Sequence, residues 1–520
     1  MAKGGSRQQR SRREELALNS GNPWPSVKDA RAWVLHIQQQ LHRWSEADRG
    51  KVFEDIFNLV YDRATLVVAW DRVRSNRGSR TAGIDGATRW HIERRGVVPF
   101  LEDIRADLKA RRYQPLPVRE HGIPKGGGKV RYLGSPTIRD RVVQMAIKLI
   151  LEPIFEVGFY PASYGYRPGR RAQDAIAEIV HFINTPSAYD HVVEGDIKAC
   201  FDNVHHGVLL QQVRDRVTDR RLLQVVKAFL RAGVMKAGSG FSRSLTGTPQ
   251  GGIISPLLAN IYLTALDRHF ERAWQWQTRY IGHTTHLRRK GHATYRLVRY
   301  ADDFVILVRG SRAQAEAIRD EAAAVLRDEL RMELSVEKTL VTHVDEGFDF
   351  LGHHVRRVPW AGSRVGWTFP SKKSLAAIRQ TVKNLTSRAT TFMSLKVLLM
   401  RLSPILRGWA NYFRYDASKR TFSYVDHYVW WRIARWLRKK HPGRTWEYIQ
   451  RRYGGWRFSE DGIDLFRVAQ VKVERYRFRG QRILLPWMEE GELGEVGPYA
   501  GSTFDDPTYL GKLQERLTVS

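Results

Sequence analysis

Of the 520 residues only one is cysteine, Cys200, so neither a disulfide framework nor a thiolate zinc site can be assembled within the chain. A reducing compartment is consistent with that. No stretch approaches the ~18 uninterrupted apolar residues of a membrane span. The first residues, Met1 to about Ser26, carry Lys3, Arg7, Arg10, Arg12 and Arg13 but lack the apolar core of a secretory signal. The expectation is a cytoplasmic protein with no membrane partner. Internal repeats are missing too, which removes solenoids and propellers. Acidic side chains are scarce: 54 Asp and Glu stand against 86 Lys and Arg, a formal net charge of +32 and a sequence pI near 10.4. Solubility does not require so large an excess, so a polyanionic partner is implied. The 16 Trp and 20 Tyr interleaved with that charge favour nucleic acid over a lipid surface, because their rings can stack on bases.

What is present suggests roughly three to four domains of about 150 residues, since 42% of the chain is hydrophobic. The spacing predicts a helix from Ser135 to Phe155, with Ser135 as cap, Pro136 in the first position, and Val142, Val143, Ala146, Ile147, Ile150 and Leu151 forming a stripe. A second helix is expected from Ala313 to Arg331 on the face Ile318, Ala322, Val325, Leu326 and Leu330. Between them His191–Val193, Leu297–Tyr300, Phe304–Val308 and Met332–Val344 read as strands. Strands mixed with helices give an α+β class. From Ser371 to Gln450 the chain holds 17 Lys or Arg against three acidic residues, with 13 aromatics, which marks a separate basic helical domain. Beyond Pro486 the tail turns acidic and rich in Gly and Pro, as in peripheral loops.

Asp302 and Asp303 lie between two apolar runs in Leu297-Val-Arg-Tyr-Ala-Asp-Asp-Phe-Val-Ile-Leu-Val308, a pattern that places carboxylates at a hairpin tip. Taken alone, such a pair is ordinary turn chemistry. Asp196 ends another strand-like run, and three carboxylates from neighbouring strands can hold two magnesium ions about 3.5–4 Å apart, the arrangement of nucleotidyl transfer. Leu245–Asn260 is a Gly-rich turn entering an apolar helix; it lacks the Lys-Ser or Lys-Thr ending of a Walker loop. Ile123–Tyr132 is a hairpin-like loop in which Lys125 and Arg131 supply positive charge suited to a triphosphate.

In chain order these elements resemble the reverse transcriptases, and in detail those encoded by group II introns. The likeness runs from Gly83-Ile-Asp-Gly86 through Pro161-Ala-Ser-Tyr-Gly-Tyr-Arg-Pro-Gly169, the Asp196 segment, Pro249-Gln-Gly251 and Tyr300-Ala-Asp-Asp303 to Phe350-Leu-Gly352. It reappears at Gly408-Trp-Ala-Asn-Tyr-Phe413, in a region similar to the family's thumb or maturase domain. The resemblance implies a right-hand polymerase, with fingers and an antiparallel palm sheet packed on helices, then a helical thumb. It implies that Asp196, Asp302, Asp303 and the Ile197 carbonyl bind two Mg2+ ions, with Mn2+ as a substitute. Lys125, Arg131 and Gln250 would hold the nucleotide, Phe201 would crowd a ribose 2′-hydroxyl, and Lys338 would protonate the leaving pyrophosphate. Phe350, Leu351 and Gly352 would grip the primer. Arg407, Trp409, Tyr412, Arg414, Trp430, Arg432 and Arg435 would bind nucleic acid through phosphate contacts and stacking.

The expected domains are a basic segment 1–26, fingers and palm 27–365, a thumb or maturase domain 366–450, and a C-terminal extension 451–520 that only faintly resembles the family's DNA-binding region. The expected partners are an RNA template, intron RNA, a DNA primer or target, and deoxynucleoside triphosphates, in a prokaryotic cytoplasm. The cysteine clusters of the zinc-associated nuclease found in many members do not occur, so integration would need a primer made elsewhere. Two other readings stand beside the polymerase: a splicing cofactor acting through RNA binding, and a domesticated transcriptase serving phage defence or repair.

Overall fold

The computed structural model describes residues 23–488 apart from 126–128, 185–188, 237–239, 243–246, 248–250, 361 and 481–482. Helix Val27–Ala47, capped by the Ser26 side chain, packs on helix Arg63–Ser75, and both pack on helix Ile138–Glu156. The last is buried nearly all round and forms the axis of the fingers. Its N-cap is Thr137, whose hydroxyl accepts from the Asp140 amide, not Ser135 as the sequence suggested. Ser135 still belongs to a strand and pairs with Arg119, so the chain leaves a sheet where a cap was expected.

In chain order the strands are β1 (Val118–Lys125), β2 (Lys129–Ser135), β3 (His191–Asp196), β4 (Val234–Lys236) and β5 (Gly240–Ser242). They continue as β6 (Thr294–Tyr300), β7 (Asp303–Arg309), β8 (Leu340–His343), β9 (Phe348–Phe350), β10 (His353–Trp360) and β11 (Ser363–Pro370). The palm sheet has the order β6-β7-β3-β8 and is antiparallel throughout. Phe304–Val308 of β7 are all buried, so both faces of that strand are covered and its sequence runs apolar without alternation. Helices Ala172–Asn184, Ser255–Gln277 and Arg312–Leu330 pack against the sheet. The strand expected over Met332–Val344 is shorter: only Leu340–His343 pairs in a strand, Leu334 bridges Ile197, and residues 336–338 form a turn.

A second core lies in helices Lys372–Leu385, Leu395–Phe413, Lys419–Lys440 and Trp446–Tyr453. Leu395, Leu398, Leu399, Leu402, Leu406, Ala410 and Phe413 recur at helical spacing and face inward. Ser371, Ser394 and Thr445 each cap a helix through the side chain. Residue 365 falls inside β11, and residue 450 falls inside helix Trp446–Tyr453, whose Tyr453 shares the second core with Phe458 and Val468.

The chain then returns to the first core as a strap. Asp426 accepts from the Val468 and Ala469 amides, Arg479 forms a two-pronged pair with Asp174, and Phe478 stacks on His181 at 4.7 Å. Ile483 is buried in the first core and Trp487 lies 5.8 Å from His42. Residues 467–480 and 483–488 therefore fasten thumb to palm and fingers.

Candidate active site

Tyr300 pairs with Asp303 across the β6–β7 hairpin, which leaves Ala301 and Asp302 as a two-residue turn. Ala301 adopts φ +59, a conformation that costs a residue with a Cβ about 1–2 kcal/mol. Gly165 lies against this turn so closely that a Cβ there would stand 2.2 Å from the Ala301 nitrogen. Behind the turn, wholly buried Arg299 holds Asp267 with two prongs, Nε to Oδ1 at 2.7 Å and Nη2 to Oδ2. Its Nη1 donates to the Ala301 carbonyl at 2.8 Å and to Asn260 Oδ1 at 3.0 Å, and Asn260 donates to the Gly165 carbonyl. The turn is thus set by a buried charge network rather than by its own residues.

Asp196 ends β3 directly opposite Asp303 of β7. The register therefore carries one carboxylate from β3 and two from the hairpin to the same end of the palm sheet. Asp303 reaches solvent, yet protein crowds it enough to raise its carboxyl to about 6, through desolvation first and then the charges of Asp302 and Asp196. Lys338 and Lys373 oppose that rise. Lys338 Nζ donates to Asp196 Oδ2 at 2.8 Å, and this bond raises the lysine above its ordinary value. The pair is largely exposed, so it adds little to stability. Among the described residues no three His, Cys, Asp or Glu side chains are drawn together to ligand distance, and Asp196 is taken up by the ammonium instead.

Ile197 is buried beside Asp196, in a bridge carried by the Asp196 carbonyl and the Lys198 amide, which leaves the Ile197 carbonyl out of the pairing. Ala199, at φ +46, turns the chain into Cys200–Asp202. Phe201 is buried there and meets Tyr166 edge-on at 6.5 Å. Burial and the Asp302 charge push the neighbouring Cys200 thiol up to about 12, so it is an inert packing group. Gly247 abuts the same segment: a Cβ would stand 2.8 Å from the Asp202 carbonyl oxygen.

Lys125 and Arg131 occupy the facing strands of the β1–β2 hairpin, in a register that pairs Ile123 with Arg131 and Lys125 with Lys129. Gln250 lies outside the described residues. Leu351 and Gly352, both at positive φ, form the tight turn between β9 and β10, with Phe350 buried before it. Thumb groups hold this turn: Tyr412 donates to the Leu351 carbonyl at 2.9 Å, and the Ser371 amide and Ser374 hydroxyl donate to the Gly352 carbonyl. His353 pairs with buried Asp416 at 2.8 Å.

Of the seven thumb residues singled out, five are engaged within the protein. Trp409 packs on Phe413 and Phe422, Tyr412 holds Leu351, and Arg414 pairs with Glu474. Trp430 stacks on Trp456 and Phe458, and Arg432 donates to the Lys383 and Thr386 carbonyls. Arg407 and Arg435 remain on the surface, the former over the Phe466 ring. Sequence reading missed Arg299, Asn260 and Asp267. The signal was a cation inside the apolar run that leads to Asp302, since a charge there needs a buried partner.

The model of the family described as reverse transcriptase (RNA-dependent DNA polymerase) matches residues 123–355, and that of the group II intron maturase-specific domain matches residues 375–454. The fold and these matches define a reverse transcriptase, an RNA-directed DNA polymerase whose domain works with divalent metal. "Protein YkfC" of Escherichia coli is 36% identical over 360 residues, which cover 66% of this chain and 93% of that protein. "Group II intron-encoded protein LtrA" of Lactococcus lactis is 31% identical over 369 residues, 62% of this chain and 60% of LtrA. The chain belongs to the reverse transcriptase and maturase family encoded by group II introns. No helix among the described residues is long and apolar enough to cross a membrane.

Proposed function

We propose that the chain extends a DNA primer on an RNA template with two magnesium ions held by Asp196, Asp302, Asp303 and the Ile197 carbonyl. The observation that carries this reading is the register that sets Asp196 opposite Asp303 beside the Asp302 turn. Hard oxygen donors suit Mg2+, with Mn2+ as a substitute. Crowded carboxylates, one of them raised to about 6, favour a site that cations fill. When bound, such ions activate the attacking hydroxyl and bear charge on the leaving phosphate.

The chain's own residues supply the rest. Lys125, Arg131 and Gln250 hold the triphosphate and line its pocket. Phe201, buried with its ring edge-on to Tyr166 and its backbone carbonyl against Gly247, rejects a 2′-hydroxyl by contact. Lys338 is kept protonated at the carboxylates, where it can pass a proton to pyrophosphate. The turn Phe350-Leu351-Gly352 seats the primer, and its bonds to Ser371, Ser374 and Tyr412 tie that seat to the thumb. The basic thumb surface, including Arg407 and Arg435, binds intron RNA and so assists splicing and mobility in a prokaryotic cytoplasm.

Primer extension on an RNA template with deoxynucleotides and Mg2+ tests the reading. Asp302→Asn abolishes cDNA synthesis and leaves RNA affinity nearly unchanged. A variant that still synthesises cDNA, or that loses both together, overturns the assignment.

A further inference from the structure

Residues 272–301 contain seven Lys or Arg and no Asp or Glu. Two of the seven, Arg296 and Arg299, turn inward to Glu178 and Asp267. The others cluster where helix Ser255–Gln277 ends and the chain passes through the short helix His283–Arg289 before entering β6. This end of the molecule projects apolar surface as well: Trp276 and Tyr280 are about half exposed and Ile281 is 89% exposed. Single exposed apolar residues are ordinary, but three together among cations form a patch.

The patch is built rather than loose. His283 is buried, bonds the Trp276 carbonyl through Nδ1 at 2.9 Å, and lies 4.5 Å from the Tyr280 ring. Gln277 accepts from the Tyr295 amide, and Gln314 donates to the Gly291 carbonyl. Arg279 stands over both exposed rings, 6.0 Å from the Trp276 centroid and 5.4 Å from that of Tyr280. Arg279, Arg289 and Lys290 are exposed, and none has a carboxylate partner among the described residues.

We propose that Trp276, Arg279, Tyr280, Ile281, Arg289 and Lys290 form a second RNA-binding platform, separate from the polymerase cleft. Unpaired bases stack on the two rings, and the three cations take the adjoining phosphates. Charge decides the partner. A protein partner would have to supply carboxylates at several points, whereas an RNA strand supplies a negative charge at every nucleotide beside a ring face. β6 runs from this platform to the Asp302 turn, so the two sites lie about 20 Å apart at ~3.3 Å per residue. The platform rests on the reading of the chain as an RNA-binding polymerase and adds a contact that extension on a short template does not need.

The full chain, its cleft filled with a short RNA–DNA template–primer, is titrated with fluorescein-labelled oligouridylate of about 20 nucleotides. A 4-thiouridine version maps the crosslink. The expected crosslinks fall between Trp276 and Lys290. Trp276→Ala with Tyr280→Ala weakens this second binding about tenfold or more. Arg289→Glu with Lys290→Glu lowers its salt slope by about two. Both variants melt with wild-type cooperativity and extend the short template–primer at the wild-type rate. Equal oligouridylate affinity in wild type and variants overturns the platform, as does loss of extension in step with binding. Self-association that the substitutions abolish overturns it in favour of a protein contact. A wild-type chain that binds oligouridylate at the platform but extends no primer would instead defeat the polymerase reading.

Discussion

In the palm, buried cations are met by buried carboxylates: Arg299 by Asp267, Arg296 by Glu178, Arg167 by Glu156. Across residues 371–470 the buried polar groups among the described residues are Ser371, Thr386, Asp416 and Ser418, and the one charge among them, Asp416, faces His353 of β10. Thumb cations instead find carbonyls near the surface. Arg432 reaches those of Lys383 and Thr386 at the end of one helix, and Lys440 those of Thr391 and Met393. Bidentate charged bonds are directional, whereas leucine contacts are not. The palm is therefore fixed by directional buried ion pairs, one of which reaches the Asp302 turn, and the thumb by apolar helix packing that leaves its cations near the surface.

The strongest way to break this contrast is Arg299→Met. It leaves Asp267 buried without a partner and is expected to cost about 3–5 kcal/mol in chemical denaturation. Adding Asp267→Leu should restore most of that stability, because an apolar pair of similar volume replaces a buried ion pair at little loss. Primer extension should stay low in the double variant, since the Arg299 donor to the Ala301 carbonyl behind the Asp302 turn is then gone. Recovery of both properties together would reduce Arg299 to a packing role.

Leu402→Ala probes the other side of the comparison. Leu402 is fully buried in the second core, and its truncation is expected to cost about 2–4 kcal/mol through lost contacts and a cavity. The loss should stay in the thumb: hydrogen exchange quickens across Leu395–Phe413, while amides of β3 and β7 keep their protection. The strap formed by residues 467–480 and 483–488 sets the limit to that independence, since Arg479, Phe478 and Ile483 bind the palm side. Equal loss of protection in palm and thumb would show that the strap makes the two cores one cooperative unit.

Much of this was legible in residue order. Apolar runs flanking Asp302 gave the β6–β7 hairpin, and the concentration of cations and aromatics after Ser371 gave the helical thumb. Local signals failed where tertiary partners decide. Thr137 caps the fingers helix because Ser135 is still paired in β2, which depends on β1 lying beside it. That Trp409, Tyr412, Trp430 and Arg432 have partners within the protein could not be read from their type, because a ring or guanidinium serves equally well between helices as at a surface. The strap could not be read at all, because Arg479 has meaning only opposite Asp174, some 300 positions earlier.

The smallest effect expected concerns pH and distinguishes a half-buried palm contact from the solvent-facing thumb charges. His206 begins helix His206–Arg214, and its Nε2–H donates to the Gly247 carbonyl at 2.7 Å, beside the Phe201 segment. Burial lowers its pKa below the usual 6.5, with the charges of Arg231 and His205 acting in the same direction against the Gly247 bond. The unfolded chain therefore binds this proton more readily than the folded one. The stability that comes from keeping the ring neutral is fully present above about pH 6.5 and is lost as pH falls from there toward the depressed folded value. Denaturation midpoints measured downward from pH 7.5 should show this loss in the wild type, and His206→Gln, which can still donate to the carbonyl but cannot titrate, should remove that part of the slope. An unchanged slope in the variant would place the pH dependence on other groups.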